Sequence, residues 1–193
     1  MPHICLTKGR VALVDACDYD ALLAVGRWRC SQAGYAVHCH TTPEGVQQNW
    51  LMHRLIMSWA AGQRLPRHLQ VDHLNHDPLD NRRANLRLCT PNQNQWHKTL
   101  QANNTSGFRG VSWNKGRWEA RIRCYRQRIN LGRYDDAVTA ALAYDAAARL
   151  LHQDFAGLNF PDILPPPDLC AAVVHRVASA PRGGLSQPIS PFV

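Results

Sequence analysis

The chain has 193 residues, of which 45% are hydrophobic, and its 22 Lys and Arg against 14 Asp and Glu give a formal net charge of +8. Such a chain is long enough for one medium domain or two small ones, and its charge favours a polyanionic partner. No apolar run reaches the roughly 18 residues that span a bilayer, and the start lacks the charged-then-apolar order of a secretion signal. We therefore expect a cytoplasmic protein with no membrane partner.

The seven cysteines are odd in number, scattered, and never spaced as C-x-x-C, so reduced thiols are expected. Cys30, His38, Cys39 and His40 lie close enough together in sequence to suggest a zinc site. No second Cys/His pair has regular finger spacing, and packing explains these residues better.

The first third of the chain has the pattern of a small α+β scaffold. It predicts a strand at residues 11–14, a helix over residues 18–26, a strand from Tyr35 to His40, and an amphipathic helix from Trp50 to Trp59. The inward positions of the last helix are Leu51, Met52, Leu55 and Trp59. His53 would then lie near the polar stretch that follows, although a surface histidine in a packed helix is the alternative.

Residues 71–97 (VDHLNHDPLDNRRANLRLCTPNQNQWH) combine acid, imidazole and amide side chains in a span too polar to be a core. The pattern predicts a strand, a turn-rich loop, a second strand from Leu86 to Cys89, and a helix. Thr90 can cap that helix, Pro91 suits its first position, and Gln93 completes a T-x-x-Q capping box. A hairpin crossed by a helix would bring Asp72 and Asn94 together.

The oxygens of Asp72 and Asn94, completed by water and phosphate oxygens, suit one hard divalent cation, Mg²⁺ or Mn²⁺. His73 would be the general base for phosphodiester hydrolysis. On a strand it points to the face opposite Asp72 unless the strand ends there. Asn85 is expected to brace the loop beside this catalytic histidine.

Four further residues are possible supporting groups of the same site. Three loop arginines could contact phosphates or simply form a solvated loop face, and a histidine ends the predicted helix: Arg82, Arg83, Arg87 and His97.

Residues 101–107 (QANNTSG) are small and polar, which predicts a linker before a second module at 108–161. Its three predicted strands (FRGVSW, GRWEARIRC and QRINLGRY) alternate basic and apolar residues, and a helix follows an Asp135 cap. Between Thr105 and Tyr134, eight basic residues stand against Glu119 alone. The basic face of this sheet, with Trp113 nearby, suits double-stranded DNA. Residues 162–193 are expected to form a flexible, Pro-rich tail.

The stretch VDHLNHDPLDNRRANLRLCTPNQNQ, with HRLIM before it, resembles the HNH motif of phage and intron homing endonucleases. The resemblance implies an N-terminal HNH nuclease domain over residues 1–100, with a ββα-metal (His-Me finger) core at about residues 69–100. In this fold Asp72 and Asn94 would hold the cation, His73 would activate water, and Asn85 would be structural. Asn94 stands where the family name has its final His.

FRGVSWNKGRWEARIR, INLGRY, AAxAYDAAA and LNFP resemble the Apetala-two/ethylene-response-factor DNA-binding domain, a three-stranded antiparallel sheet packed on one helix. The chain departs from the plant pattern at Ser112 and Asn130, so the same target sequence is not implied. The basic face together with this resemblance gives the expected DNA contacts: Arg109, Trp113, Arg117, Glu119, Arg121, Arg123 and Arg128.

The sequence therefore predicts an α+β, metal-dependent, site-directed DNA endonuclease of homing type that nicks as a monomer. We expect a monomer or weak dimer, no small-molecule organic cofactor, and a bacterial or phage-infected cell as its location. The alternatives are a DNA-binding transcriptional regulator with a vestigial nuclease scaffold, and an RNA-processing nuclease. The basic sheet has few exposed aromatic residues for single-strand stacking, which disfavours the latter.

Overall fold

A computed structural model describes residues 2–100 and 102–180, and the chain divides into two compact units, Met1–Asn94 and Gln95–Val193. The first unit is α+β. Its elements are β1 (His3–Cys5), β2 (Val11–Leu13), α1 (Ala16–Val25), β3 (Arg29–Cys30), β4 (Ala36–Thr41), β5 (Gln47–Leu51), α2 (Met52–Ala60), β6 (Gln70–His73), β7 (Leu86–Cys89) and α3 (Pro91–His97). β1 pairs with β2, β3 to β5 form a three-stranded sheet in chain order, and β6 pairs with β7, all antiparallel. The boundary between the units falls within α3.

The core of the first unit joins the N-terminal elements to the hairpin. Its largest buried side chains include Leu22, Trp28, Met52 and Ile56, and Val71 and Leu86 bring β6 and β7 into the same cluster. The Trp28 indole Nε1 donates a hydrogen bond to the Leu22 carbonyl at 2.8 Å, so the polar edge of this side chain is satisfied. The hairpin is therefore anchored on residues far away in sequence.

The helix predicted from Trp50 begins later than expected. Residues 47–51 pair with β4 as β5, and α2 starts at Met52. Trp59, predicted to point inward, is 36% exposed, whereas Ile56 is fully buried. Beginning the helix two residues later and pairing the preceding residues in a sheet changes which side chains reach the core.

The second unit is a three-stranded antiparallel sheet packed on a helix, as the sequence predicted. Its elements are β8 (Val111–Asn114), β9 (Arg117–Cys124), β10 (Gln127–Tyr134), α4 (Ala137–His152) and α5 (Pro167–Ala178), and the strand order is β10-β9-β8. The cap of α4 is Asp136, whose carboxylate accepts a hydrogen bond from the Thr139 amide at 2.7 Å. The prediction of Asp135 as the cap was wrong, because Asp135 instead pairs with Arg117.

Alanines let α4 lie close to the sheet. Ala140, Ala141, Ala147 and Ala148 are fully buried. The approach is closest at Gly110, where an added Cβ would lie 2.1 Å from Tyr144 Cδ2, and where φ is +71°. Only glycine fits this position without moving the helix.

A buried carboxylate ties the end of the second unit to its beginning. Asp145 is fully buried and accepts hydrogen bonds from the Asn159 amide (2.8 Å), the Asn159 side chain (3.0 Å) and the Phe160 amide (2.7 Å). Asn159 Oδ1 in turn accepts from the Arg109 amide at 2.6 Å. The Asp145 side chain thus links α4 to the LNFP segment, and Asn159 of that segment continues the link to Arg109, just before β8.

Part of the region predicted as a flexible tail is helical. α5 occupies Pro167–Ala178, and its Val173 is 1% exposed in the core of the second unit. Burial of this side chain outweighs the signal from the prolines that precede it. Residues 181–193 of the predicted tail, like Gln101 of the predicted linker, lie outside the described residues. No helix in the described ranges is both long and apolar enough to cross a membrane.

Candidate active site and nucleic-acid interface

The predicted hairpin and helix place the polar residues of the central motif. Asp72 pairs with Arg87, and His73 pairs with Leu86 at the end of β6. α3 begins at Pro91 after the predicted capping box, in which the Gln93 amide donates to Thr90 Oγ1 (3.3 Å) and the Thr90 amide donates to Gln93 Oε1 (2.8 Å).

Asn85 holds the loop between β6 and β7. Its side-chain amide donates to Asn75 Oδ1 (2.9 Å) and to the Asp80 carbonyl (2.8 Å), and its Oδ1 accepts from the Asn75 amide (3.0 Å). The Leu74 amide donates to the Asn85 carbonyl at 2.9 Å. These bonds close the loop directly after His73.

The same loop is fixed to the N-terminal strands. The Leu13 amide donates to the Leu79 carbonyl, and the Asn81 amide donates to the Leu13 carbonyl, both at 2.8 Å. Arg83 donates to Asp18 through Nε (2.8 Å) and Nη2 (2.7 Å). β2 and α1 are therefore part of the support of the candidate site.

Asp72 and Asn94 face the same side of the hairpin. Alternation along β6 places Gln70 and Asp72 on one face, and the Asn94 side-chain amide donates to Gln70 Oε1 at 2.7 Å. Asp72 is buried, and its Oδ2 accepts from Arg87 Nε at 2.9 Å. A carboxylate and an amide oxygen on one face are the hard donors that a Mg²⁺-like cation prefers, so these residues fit such an ion.

His73 lies on the opposite face of β6, at the strand end, and is 5% exposed. Its ring contacts His53 of α2 edge-on, with ring centroids 5.1 Å apart, and tilts against Tyr35 at 6.0 Å. Its Nε2 is shielded from solvent and, like the side-chain atoms of Asn81, makes no hydrogen bond within the described ranges. The other ring nitrogen, Nδ1, is not among the buried unsatisfied atoms, so it is the nitrogen that could accept a proton from water.

Burial keeps the two contacting histidines neutral. It lowers the pKa of His73 below its usual range, against the opposing effects of the Asn81 side chain and the carboxylates of Asp72, Asp77 and Asp80. Burial, and after it repulsion from protonated His73 and from Arg54, lowers the pKa of His53 to about 3. At neutral pH both rings are therefore uncharged.

The loop arginines predicted as possible phosphate contacts all have carboxylate partners. Arg82 contacts Asp80 (2.6 Å), Arg83 contacts Asp18 (2.7 Å), and Arg87 contacts Asp72 (2.8 Å). Their contacts in this structure stabilise the loop and the hairpin. His97 is the last residue of α3, beyond the boundary of the first unit.

Within residues 2–100 and 102–180, no group of three or more His, Cys, Asp or Glu side chains is arranged to hold a metal ion, and the four residues considered for zinc form no such group. His40 instead stacks on Trp50, with ring centroids 4.4 Å apart. The His38 Nδ1–H donates to the Arg27 carbonyl at 3.0 Å.

In the second unit, alternation places four predicted DNA contacts on the sheet face away from α4: Arg117, Arg121, Arg123 and Arg128. Arg123 and Arg128 are direct cross-strand partners and both are exposed. Neither makes an ion pair in the part of the chain that the structure describes. Like charges placed opposite one another destabilise a sheet, and an anion bound between these two side chains would reduce their repulsion.

Arg109 and Trp113 lie elsewhere. Arg109 donates to the Lys98 carbonyl and lies against Gly157, where an added Cβ would be 2.8 Å from its Cζ. Trp113 packs edge-on against Trp118, on the side of β8 that carries Val111, and is 58% exposed. Glu119 shares the arginine face but is buried, at 3% exposure.

Sequence reasoning missed two contacts of the candidate site. Gln70, which binds Asn94, could have been found, because alternation along the predicted strand places it on the face of Asp72. Tyr35, which contacts both His53 and His73, carries no such signal, because sheet β3-β4-β5 brings it to the site from a distant part of the chain.

Comparison with known proteins agrees with this geometry. The family model described as HNH endonuclease matches residues 51–96, which include α2, the β6–β7 hairpin and most of α3. The chain therefore contains an HNH endonuclease domain and is a nuclease that acts on DNA.

Its relatives fall into two groups. The chain is 34% identical to Protein 3.8 of Escherichia phage T7 over 106 residues, which cover 53% of this chain and 87% of that protein. It is 33% identical to an uncharacterized HNH endonuclease of Acanthamoeba polyphaga mimivirus, over 55% of this chain and 53% of the relative. It is also 34% identical to an ethylene-responsive transcription factor of Arabidopsis thaliana, over 66% of this chain and 80% of the relative. Among solved structures, none matches the chain.

Proposed function

We propose that the protein is a metal-dependent, site-directed DNA endonuclease in which the first unit cleaves and the arginine face of the second unit selects the site. The observation that carries the catalytic half is the neutral His73 imidazole at the end of β6, next to Asp72 in the chain. The alternative base in contact with it, His53, is held neutral even more strongly and contacts the ring of His73.

In this proposal His73 takes the proton from the water that attacks the scissile phosphate. Asp72 and Asn94 would hold one divalent cation, Mg²⁺ or Mn²⁺, which polarises the phosphate and stabilises the leaving oxygen when bound. Tyr35 and His53 fix the orientation of the His73 ring, and Asn85 fixes the loop that follows it. The tight hold of these side chains keeps the base in one position.

The arginine face supports duplex recognition. Arg123 and Arg128, which make no ion pair among the described residues, would contact phosphates, and a sheet of this kind can enter the major groove. The similarity to an ethylene-responsive transcription factor supports the same assignment. We propose that one copy nicks one strand and that a double-strand break requires two copies.

Cleavage of supercoiled plasmid tests the catalytic half. With Mg²⁺ the protein should produce open circles, and EDTA should abolish them. His73→Ala should lose cleavage and retain DNA affinity, while His68→Ala, which removes an exposed histidine from the same unit, should cleave normally. Asp72→Asn and Asn94→Ala should also lose cleavage without losing affinity.

Two outcomes would contradict the proposal. Normal cleavage by His73→Ala would refute its role as the base. Sequence-specific binding without cleavage across several metals and DNA sequences would instead favour the DNA-binding regulator. Mapping of the cut on the DNA that flanks the gene tests the homing type, because a homing enzyme should cleave the allele that lacks its own coding sequence.

A further inference from the structure

A carboxylate is buried within the arginine face of the second unit. Glu119 accepts hydrogen bonds from the side chains of Asn114 (2.9 Å), Arg121 (2.6 Å) and Asn130 (2.6 Å). The three donors lie on β8, β9 and β10, so the Glu119 carboxylate binds one side chain from each strand of the sheet. Its exposure is 3%, and these neighbours cover it.

This arrangement is unsuited to a direct contact between Glu119 and DNA. Both carboxylate oxygens already accept hydrogen bonds, and an anion beneath the face would repel phosphates if its neighbours moved aside. The hydrogen bond from Asn114, and those from Arg121 and Asn130, lower the pKa of Glu119, so it stays ionised at neutral pH. A permanent charge at this position can hold donors in place.

The groups around Glu119 present hydrogen-bond donors to the outside. Arg121 and Asn130 are direct cross-strand partners. The Asn130 carbonyl oxygen accepts from the Gly132 amide at 2.9 Å, and its amide nitrogen donates to Glu119. Both side chains are therefore fixed with N–H groups as their polar function, and the guanine edge in the major groove offers two acceptors, O6 and N7.

We infer that Glu119, itself fixed by Asn114 and Asn130, is a positioning residue which holds Arg121 as the side chain that reads a guanine of duplex DNA. This inference rests on the proposed role of the arginine face in site selection. It assigns base discrimination and phosphate binding to different arginines of that face. Arg121 carries sequence discrimination because it is oriented, whereas Arg123 and Arg128, which lack carboxylate partners in the described chain, bind phosphates of any sequence.

The test uses Glu119→Gln in the full chain, with Glu44→Gln as the matched control. Glu44 is the only other glutamate, and it is exposed. Selection from a randomised duplex pool gives the preferred site of the wild type, and competition titration gives the ratio of its affinity to that for random duplex. We expect Glu119→Gln to lower this ratio on the order of tenfold, the size of one good bidentate base contact.

Affinity for random duplex should not fall in the same variant, because removal of a negative charge favours phosphate binding. A variant that was merely unfolded would lose both affinities. The double variant Glu119→Gln with Arg121→Ala should discriminate no worse than Arg121→Ala alone, since Glu119 acts through Arg121.

Three results would overturn the inference. An unchanged ratio in Glu119→Gln would do so and would leave the proposed site selection intact. Losses that add in the double variant would make Glu119 an independent reader of a base. Failure of the wild type to select any sequence would refute both this inference and site selection by the sheet.

Discussion

Removal of the Asp145 carboxylate should destabilise the second unit and leave the stability of the first unit unchanged. In Asp145→Ala, three donors on Asn159 and Phe160 lose their acceptor. Each unsatisfied buried donor costs about 1–3 kcal/mol, and partial exposure of the segment favours the low end. The free energy of unfolding should therefore fall by about 3–5 kcal/mol, which is among the largest effects that single substitutions produce.

The isosteric variant separates the hydrogen bonds from packing. Asp145→Asn keeps the shape and one acceptor oxygen, but it turns an NH₂ group towards a donor. Its cost should be smaller, about 1–3 kcal/mol. Asp162→Ala, which removes an exposed carboxylate from the same unit, should change stability by less than about 0.5 kcal/mol.

Denaturant titration monitored by hydrogen exchange resolves the two units. Amides of residues 102–180 should lose protection at lower denaturant in Asp145→Ala, and amides of the first unit should keep theirs. Equal stability of the alanine and wild-type proteins would refute the reasoning. An equal shift in both units would show that Asp145 acts outside the unit that holds its partners.

Three further predictions concern the same unit. Gly110→Ala should lose more than about 2 kcal/mol of stability, because its Cβ would clash with Tyr144 at a positive φ. Burial lowers the pKa of His152 from 6.5 to about 4, so its contribution is complete above pH 6.5 and is lost as the pH falls towards 4. That loss, about 3 kcal/mol, should be absent in His152→Gln when unfolding is measured across this range. Arg123→Thr should raise stability by a few tenths of a kcal/mol and reduce the salt slope of DNA binding by about one.

Each of these predictions has its own control. Gly116 also has a positive φ, +78°, but open space around its Cβ, so Gly116→Ala isolates the backbone cost. A pH dependence that is identical in His152→Gln and wild type would contradict the role of His152. A salt slope that Arg123→Thr leaves unchanged would mean that this arginine contacts no phosphate.

Local patterns in the sequence predicted the elements whose formation depends on residues close to one another in the chain. β9 and β10 follow from strict alternation of basic and apolar residues, and the start of α3 follows from the Thr90–Gln93 capping box. The HNH resemblance depends on residues within one short stretch, which the family model also matches.

The rest depends on contacts between distant residues. β5 has no alternating pattern and exists because β4 pairs with it. Charged residues in a strand are expected to be exposed, so the burial of Glu119 could not be predicted before its partners on β8 and β10 were known. The inward turn of Arg109 likewise depends on its position relative to Asn159 and Gly157.

The attachment of the β6–β7 loop to β2 has a consequence for the folding of the nuclease. Leu13 bonds to Leu79 and Asn81 across more than sixty residues of chain, and the matched region 51–96 contains neither β2 nor the buried Leu22 and Trp28. Closing so long a loop costs entropy that only the completed core offsets. The β6–β7 hairpin should therefore acquire its final geometry late in folding, and residues 51–96 excised alone should not form it. A nuclease that assembles its hairpin last is inactive until the whole first unit has folded.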